Sequence, residues 1–323
     1  MVGMLNIIRI AMDPDMFQLG GFLLTWHGFF TFIGVSVAVT LIAYWSRKEG
    51  IPPDTVYSVA VWAILGGIVG ARLVHVIDWW GRNYKDDPIT VFYIWQGGIA
   101  IYGAVLGGFI GGAIYMVIRN RDGFINFWNS CLPWLGRMNK IDMPSVGRLA
   151  DIAAPVVLFS MAIGRIGDII NGEHFARVTS MPWGFVYEHS QTVTLYIHNF
   201  TEASGKAILP ARPIDATPAA HPAVLYEMIY DVFVASILWL FFRNRLRPHG
   251  MLFALFLGMY SLGRFFISFI REDKIWIVGL DEAQIIALIT LVITVTLLIT
   301  KAQIVRPTQK LRPTVAATSA GET

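Results

Sequence analysis

Apolar residues run through this chain in long blocks separated by short polar breaks. A window of about 20 residues, the length that spans a bilayer as a helix, isolates seven blocks at 22–44, 57–79, 97–118, 150–172, 223–242, 250–270 and 282–300. The pattern predicts an all-α polytopic membrane protein with seven transmembrane helices. The first block is too long for the apolar core of a signal peptide and is followed by no small-x-small cleavage pattern, so it is expected to remain as a helix.

Two stretches break the helix-loop rhythm. Residues 88–118 are apolar for longer than one span needs, and the break Trp95-Gln96-Gly97-Gly98 predicts an interfacial or re-entrant piece near 88–101, a backbone path tolerated at depth only against protein or water. Residues 173–222 form a long polar segment in which Pro182 to Glu188 and Thr192 to His198 read as short strands, giving a small head domain. The expected organisation is therefore an N-terminal segment 1–21, four spans within 22–172, the head 173–222, three spans within 223–300, and a disordered Pro/Thr/Ala-rich tail within 301–323. No internal repeat is visible, which weighs against an inverted-repeat transporter.

Composition agrees with the pattern: 55% of the 323 residues are hydrophobic, 15% are charged, and the mean hydropathy is +0.57. The net charge of +3 is spread over short loops rather than one basic face, so nucleic acid is not an expected partner. Lys and Arg concentrate in the segments that are inside if the N-terminus is outside, predicting an N-out, C-in protein with the head on the extracytoplasmic face. Cys131, the single cysteine, has no internal disulfide partner and reads as an incidental loop residue.

Three arginines, Arg72, Arg165 and Arg264, fall inside apolar blocks. A guanidinium stays charged at any accessible pH, so each needs an anion or a wet cavity. Asp168, three residues after Arg165, could neutralise it as an internal pair. Few other carboxylates lie near the spans, chiefly Glu173 and Glu227, and three arginines are better balanced by an anion entering from the bilayer. A phospholipid phosphate fits a guanidinium fork. On the sixth block Tyr260, Arg264, Ser268 and Arg271 recur at steps of four, four and three and should share one face lining a cavity. Gly66 and Gly70 on the second block, and Gly103, Gly107 and Gly111 on the third, read as close helix packing.

The run Gly164-Arg165-Ile166-Gly167-Asp168-Ile169-Ile170-Asn171-Gly172-Glu173 resembles the signature of the bacterial prolipoprotein diacylglyceryl transferase family. The resemblance continues through Trp26-His27-Gly28, Gly70-Ala71-Arg72-Leu73, Ile94 to Gly98 with Tyr102-Gly103, His221-Pro222 to Leu225-Tyr226-Glu227, and Tyr260 to Arg264 and Arg271, in family order. It implies a multi-pass enzyme of the bacterial inner membrane. The implied reaction moves the diacylglyceryl group of phosphatidylglycerol to the cysteine of a preprolipoprotein lipobox peptide, forming a thioether and glycerol phosphate. No cofactor or metal is implied.

By the same resemblance the family's two essential arginines map to Arg165 and Arg264, as phosphate clamps. Arg72, Asn171, Glu173, Tyr260 and Arg271 are candidate lipid contacts, and Glu227, Gly98 and Gly103 candidate supports. The sequence departs from the family pattern at Asp168, where Asn is usual, at Ala176, where Gly is usual, at Ser268, where Glu is common, and at Tyr102, where His is frequent. His27 stands where the family commonly has Tyr. The base is therefore open between Tyr102, His27 and Asp168, with His27 reading first as a satisfied core histidine. A non-catalytic lipid-binding homologue and a lipid flippase are the rival readings.

Overall fold

The computed structural model describes residues 8–20, 22–93, 98, 100–172, 174–204, 215–273 and 275–305; of residues 22, 82, 83, 101, 102 and 198–204 it describes the backbone only. Strand β1 (Ile8–Ile10) is followed by an antiparallel hairpin of β2 (Asp15–Leu19) and β3 (Phe22–Thr25). Helix α1 (Trp26–Lys48) starts four residues later than the hydropathy pattern suggests, because Phe22–Thr25 is taken by the hairpin. The Thr25 side chain accepts a hydrogen bond from Gly28 N, the usual satisfaction of an orphan amide at a helix start.

The remaining long helices are α2 (Pro53–Trp79), α3 (Ile101–Ile118), α4 (Asp122–Cys131), α5 (Val146–Asn171), α6 (Ser190–Ser204), α7 (Ala223–Ile237), α8 (Met251–Ser268) and α9 (Glu282–Lys301). α7 runs on through one wide turn, Leu238–Phe242. Strand β4 (Phe185–Tyr187) pairs in parallel with β1; β5 (Leu246–Arg247), β6 (Ile275–Ile277), β7 (Leu280–Asp281) and β8 (Gln303–Ile304) complete two further pairs, β5 with β8 and β6 with β7.

Six helices, α1, α2, α5, α7 with its extension, α8 and α9, are each long and apolar enough to cross a membrane, and the α3–α4 pair, bent by 99°, makes a seventh where it counts as one span. The chain is thus a helical multi-pass membrane protein. α5 is the central element. Its Ala154 and Leu158 are fully buried against Val234 and Leu238 of the α7 segment and Leu252 and Phe256 of α8.

Glycine sets two close helix contacts. The stripes on α2 and α3 face one another, so that a Cβ at Gly66 would lie 2.5 Å from Gly107 O. α1 approaches α5 the same way, a contact the glycine pattern did not signal: a Cβ at Gly167 would lie 2.6 Å from His27 Cα and 2.7 Å from Trp26 O.

One strand expectation fails. Pro182 to Glu188 contains β4, but Thr192 to His198 lies inside α6. Its β-branched residues alternate as in a strand, yet Thr194 Oγ1 bonds back to Ser190 O and Thr192 Oγ1 reaches Asn171 O. Tertiary contacts at the end of α5 thus override local propensity. The expected break at residues 94–97 and the tail beyond 305 lie outside the described residues.

Candidate active site

The four-residue turn at the end of α5 builds the site. Gly172 adopts φ 69°, a left-handed helix cap, and its N–H donates to Asp168 O at 3.0 Å. The reversal brings His174 back over Asp168 and sends the chain along the end of α8, where Ala176 and Arg271 form a β-bridge, Arg177 N donates to Ile270 O and Glu272 N to Phe175 O. Tyr187 closes the turn from the strand side, its hydroxyl donating to Ile169 O at 2.9 Å. Burial, followed by the charge of Asp168, pushes the Tyr187 phenol well above the ordinary tyrosine range.

These contacts assemble a closed ring of charge. Arg165 donates through Nη1 to Asp168 Oδ2 at 2.8 Å and through Nη2 to Glu227 Oε1 at 2.7 Å. Arg264 lies 3.6 Å from Glu227 Oε2 and 3.6 Å from Asp273 Oδ2. Arg271 donates to Asp273 at 2.8 and 3.2 Å, and its Nη2 lies 3.2 Å from His174 Nδ1. His174 Nε2, 3.6 Å from Asp168 Oδ2, closes the circuit. Three arginines thus face three carboxylates. Burial pushes the Asp273 carboxyl up, but its hydrogen bond and charge pairing with Arg271 win and hold it below the ordinary carboxylate range.

His27 joins from outside the ring, its Nδ1 2.5 Å from Asp168 Oδ1. Tyr260 directs its hydroxyl to Glu227 Oε1 at 3.4 Å. Asn171 is buried at the foot of the turn, its carbonyl accepting from Thr192. Asp231, one helical turn beyond Glu227, is fully buried, and neither carboxyl oxygen has a hydrogen-bond partner.

Arg72 stands apart. It donates to the carbonyls of Thr90 at 2.6 Å, Val91 at 2.7 Å and Gly98 at 2.9 Å, and its guanidinium lies over the Tyr84 ring. Its described hydrogen-bond partners are backbone of the 88–98 segment. Gly98, at φ 76°, allows that approach: a Cβ there would sit 2.9 Å from Arg72 Nη1 and closer still to the His75 ring. Gly103 packs on Gly70 between α3 and α2. The side chain of Tyr102, and Glu173 altogether, lie outside the described residues.

Glu227, expected as a support, ties Arg165 to Arg264. Two sequence expectations change here. Arg271 enters the site beyond the end of α8, through the β-bridge to Ala176, because the helix stops at Ser268. The shortage of carboxylates is relieved by Asp273, which lies outside every apolar block; His174 is the ring's other unforeseen member.

Residues 14–300 match the family described as prolipoprotein diacylglyceryl transferase. The chain belongs to that family. It is similar to the phosphatidylglycerol--prolipoprotein diacylglyceryl transferases of Synechocystis sp., at 33% identity over 87% of this chain and 86% of the relative, of Trichormus variabilis, at 31% over 85% and 84%, and of Halalkalibacterium halodurans, at 33% over 87% and 83%. In this family member Arg165 is the junction between the α5 and α7 halves of the ring, and Asp168 is bonded to both Arg165 and His27.

Proposed function

We propose that this chain transfers the diacylglyceryl group of phosphatidylglycerol to the lipobox cysteine of a preprolipoprotein, the first step of lipoprotein maturation, with Arg165 and Arg264 receiving the phosphate. The observation that carries the reading is the convergence of two arginines from different helices on one buried carboxylate: Arg165 Nη2 lies 2.7 Å from Glu227 Oε1, and Arg264 Nη1 lies 3.6 Å from Glu227 Oε2. Two permanent cations held this close together suit the oxygens of a single phosphate.

In the reaction the cysteine sulfur attacks the glyceryl carbon that bears the phosphate. A C–S bond forms, the C–O bond breaks with its electron pair going to oxygen, and glycerol phosphate leaves with added negative charge. Guanidinium groups fixed where that charge develops, in a site shielded from water, stabilise the transition state more than the ground state. Arg271 and Asp273 hold the Arg264 side of the ring, and Glu227 of α7, itself met by Tyr260 of α8, fixes Arg165. Asn171 closes α5 just before His174, and Arg72 anchors the carbonyls of Thr90, Val91 and Gly98.

The excess of Lys and Arg in alternate loops supports an N-out, C-in arrangement in the bacterial inner membrane, with the ring and the α6 segment on the extracytoplasmic side, where secreted preprolipoproteins present their lipobox.

The test is thioether formation on a lipobox peptide by the purified protein in phosphatidylglycerol vesicles. Wild type should be active, and Arg165→Ala and Arg264→Ala should each lose about 100-fold or more, the scale of removing one transition-state donor. An inactive wild type that still binds the lipid would establish the lipid-binding homologue instead.

A further inference from the structure

A cysteine thiol has a pKa near ~8.5, so at neutral pH most of it is protonated, and fixed arginines at the phosphate do nothing to accept that proton. Another residue must do this work.

We infer that His27 is the general base of this enzyme, with Asp168 as its positioning residue. The backbone brings the two together: Gly167 has no side chain, so the first turn of α1 lies directly on α5, and a Cβ would meet His27 Cα and His27 N. Asp168 is itself immobilised, 6% exposed and bonded through Oδ2 to Arg165. Its other oxygen accepts from His27 Nδ1 at 2.5 Å. A carboxylate at Nδ1 fixes the tautomer that carries its proton there and places the basic lone pair on Nε2; it also stabilises the imidazolium once formed. The His27 side chain is 48% exposed, so a substrate can reach it.

Two other titratable groups among the described residues are committed elsewhere. His174 has Nδ1 against Arg271 and Nε2 toward Asp168, inside the ring. Tyr260 points its hydroxyl at Glu227.

The step balances. The thiol proton passes to His27 Nε2, the thiolate displaces phosphate from the glyceryl carbon, and the imidazolium can return the proton to the departing glycerol phosphate. The ring of three arginines and three carboxylates is formally neutral, so the phosphodiester adds one negative charge and the imidazolium offsets it.

This inference rests on the transferase reading, and the experiment separates the two. Turnover is measured in phosphatidylglycerol proteoliposomes with a lipobox peptide and with the same peptide carrying selenocysteine, whose selenol is ionised at neutral pH and needs no base. In His27→Gln, cysteine turnover should fall about 100-fold, the usual contribution of a positioned base, while the selenocysteine peptide falls less than about 10-fold. Asp168→Asn should shift the ratio of the two turnovers in the same direction. Each ratio is taken on a single preparation, so it is independent of the fraction folded. An active wild type with the ratio unchanged in His27→Gln would overturn the assignment of the base alone; an inactive wild type would overturn the transferase reading and the base with it.

Discussion

Glu227 Oε1 lies 2.7 Å from Arg165 Nη2, and the carboxylate that makes this bond is almost wholly enclosed, its side chain 2% exposed. Its second oxygen faces Arg264, so one residue of α7 ties the arginines of α5 and α8 together. Removing one partner of such a pair leaves a buried charge uncompensated, which typically costs about 3–5 kcal/mol. Glu227→Ala is therefore expected to lower thermal stability in detergent far more than any exposed substitution, and Glu227→Gln to recover part of that loss by keeping a hydrogen-bond acceptor. Melting temperatures of the two variants check this; equal losses would show that only the charge matters.

The contact of Gly167 with His27 gives a second expectation. In Gly167→Ala the new methyl group meets main chain, at 2.6 Å from His27 Cα and 2.7 Å from Trp26 O, and main chain cannot swing aside as a long side chain does. Overpacking of this kind costs about 1–3 kcal/mol, and it would also draw His27 away from Asp168. Thioether turnover should drop while binding of phosphatidylglycerol to proteoliposomes persists.

Asp273 supplies a pH dependence outside the spans. Its carboxyl is held below the ordinary range, so between the folded value and the unfolded value near ~3.9 the unfolded chain binds the extra proton. Stability then rises with pH through that window. The contribution is present in full above the unfolded value and is lost as pH falls toward the folded one. Asp273→Asn should flatten the acid limb of a stability profile measured by thermal unfolding, with the neutral-pH melting temperature lowered.

Arg72→Ala would leave the carbonyls of Thr90, Val91 and Gly98 without their shared donor. An unmet buried acceptor costs about 1–3 kcal/mol, which is enough to open the short helical turn Pro88–Phe92. Hydrogen exchange across 88–93 should accelerate markedly, while exchange in the middle of α5 stays slow.

How much of this was legible beforehand depends on whether a feature is local. The apolar blocks fixed six helices to within a few residues, since a bilayer-length run of hydrophobic side chains has no other low-energy solution. α2 (from Pro53) and α5 (from Val146) begin before their blocks 57–79 and 150–172, and α1 begins after its own because a hairpin takes Phe22–Thr25. The Arg165 signature and the Arg264 position were likewise visible, because a permanent charge in an apolar run stands out against its neighbours.

What the sequence could not decide is which opposite charges those arginines meet. Asp273 is an ordinary loop aspartate and His174 an ordinary loop histidine until the left-handed turn at Gly172 and the bridge between Ala176 and Arg271 carry them onto the ends of α5 and α8. The same holds for His27, 141 positions before Asp168: its ring is a core filler or a base according to how closely α1 can approach α5, and that approach is permitted by the missing side chains of Gly167 and Gly34. Hydropathy and spacing are properties of neighbours along the chain, so they determine the helices; charge pairing at a few ångströms is a property of neighbours in space, and only the packed bundle determines it.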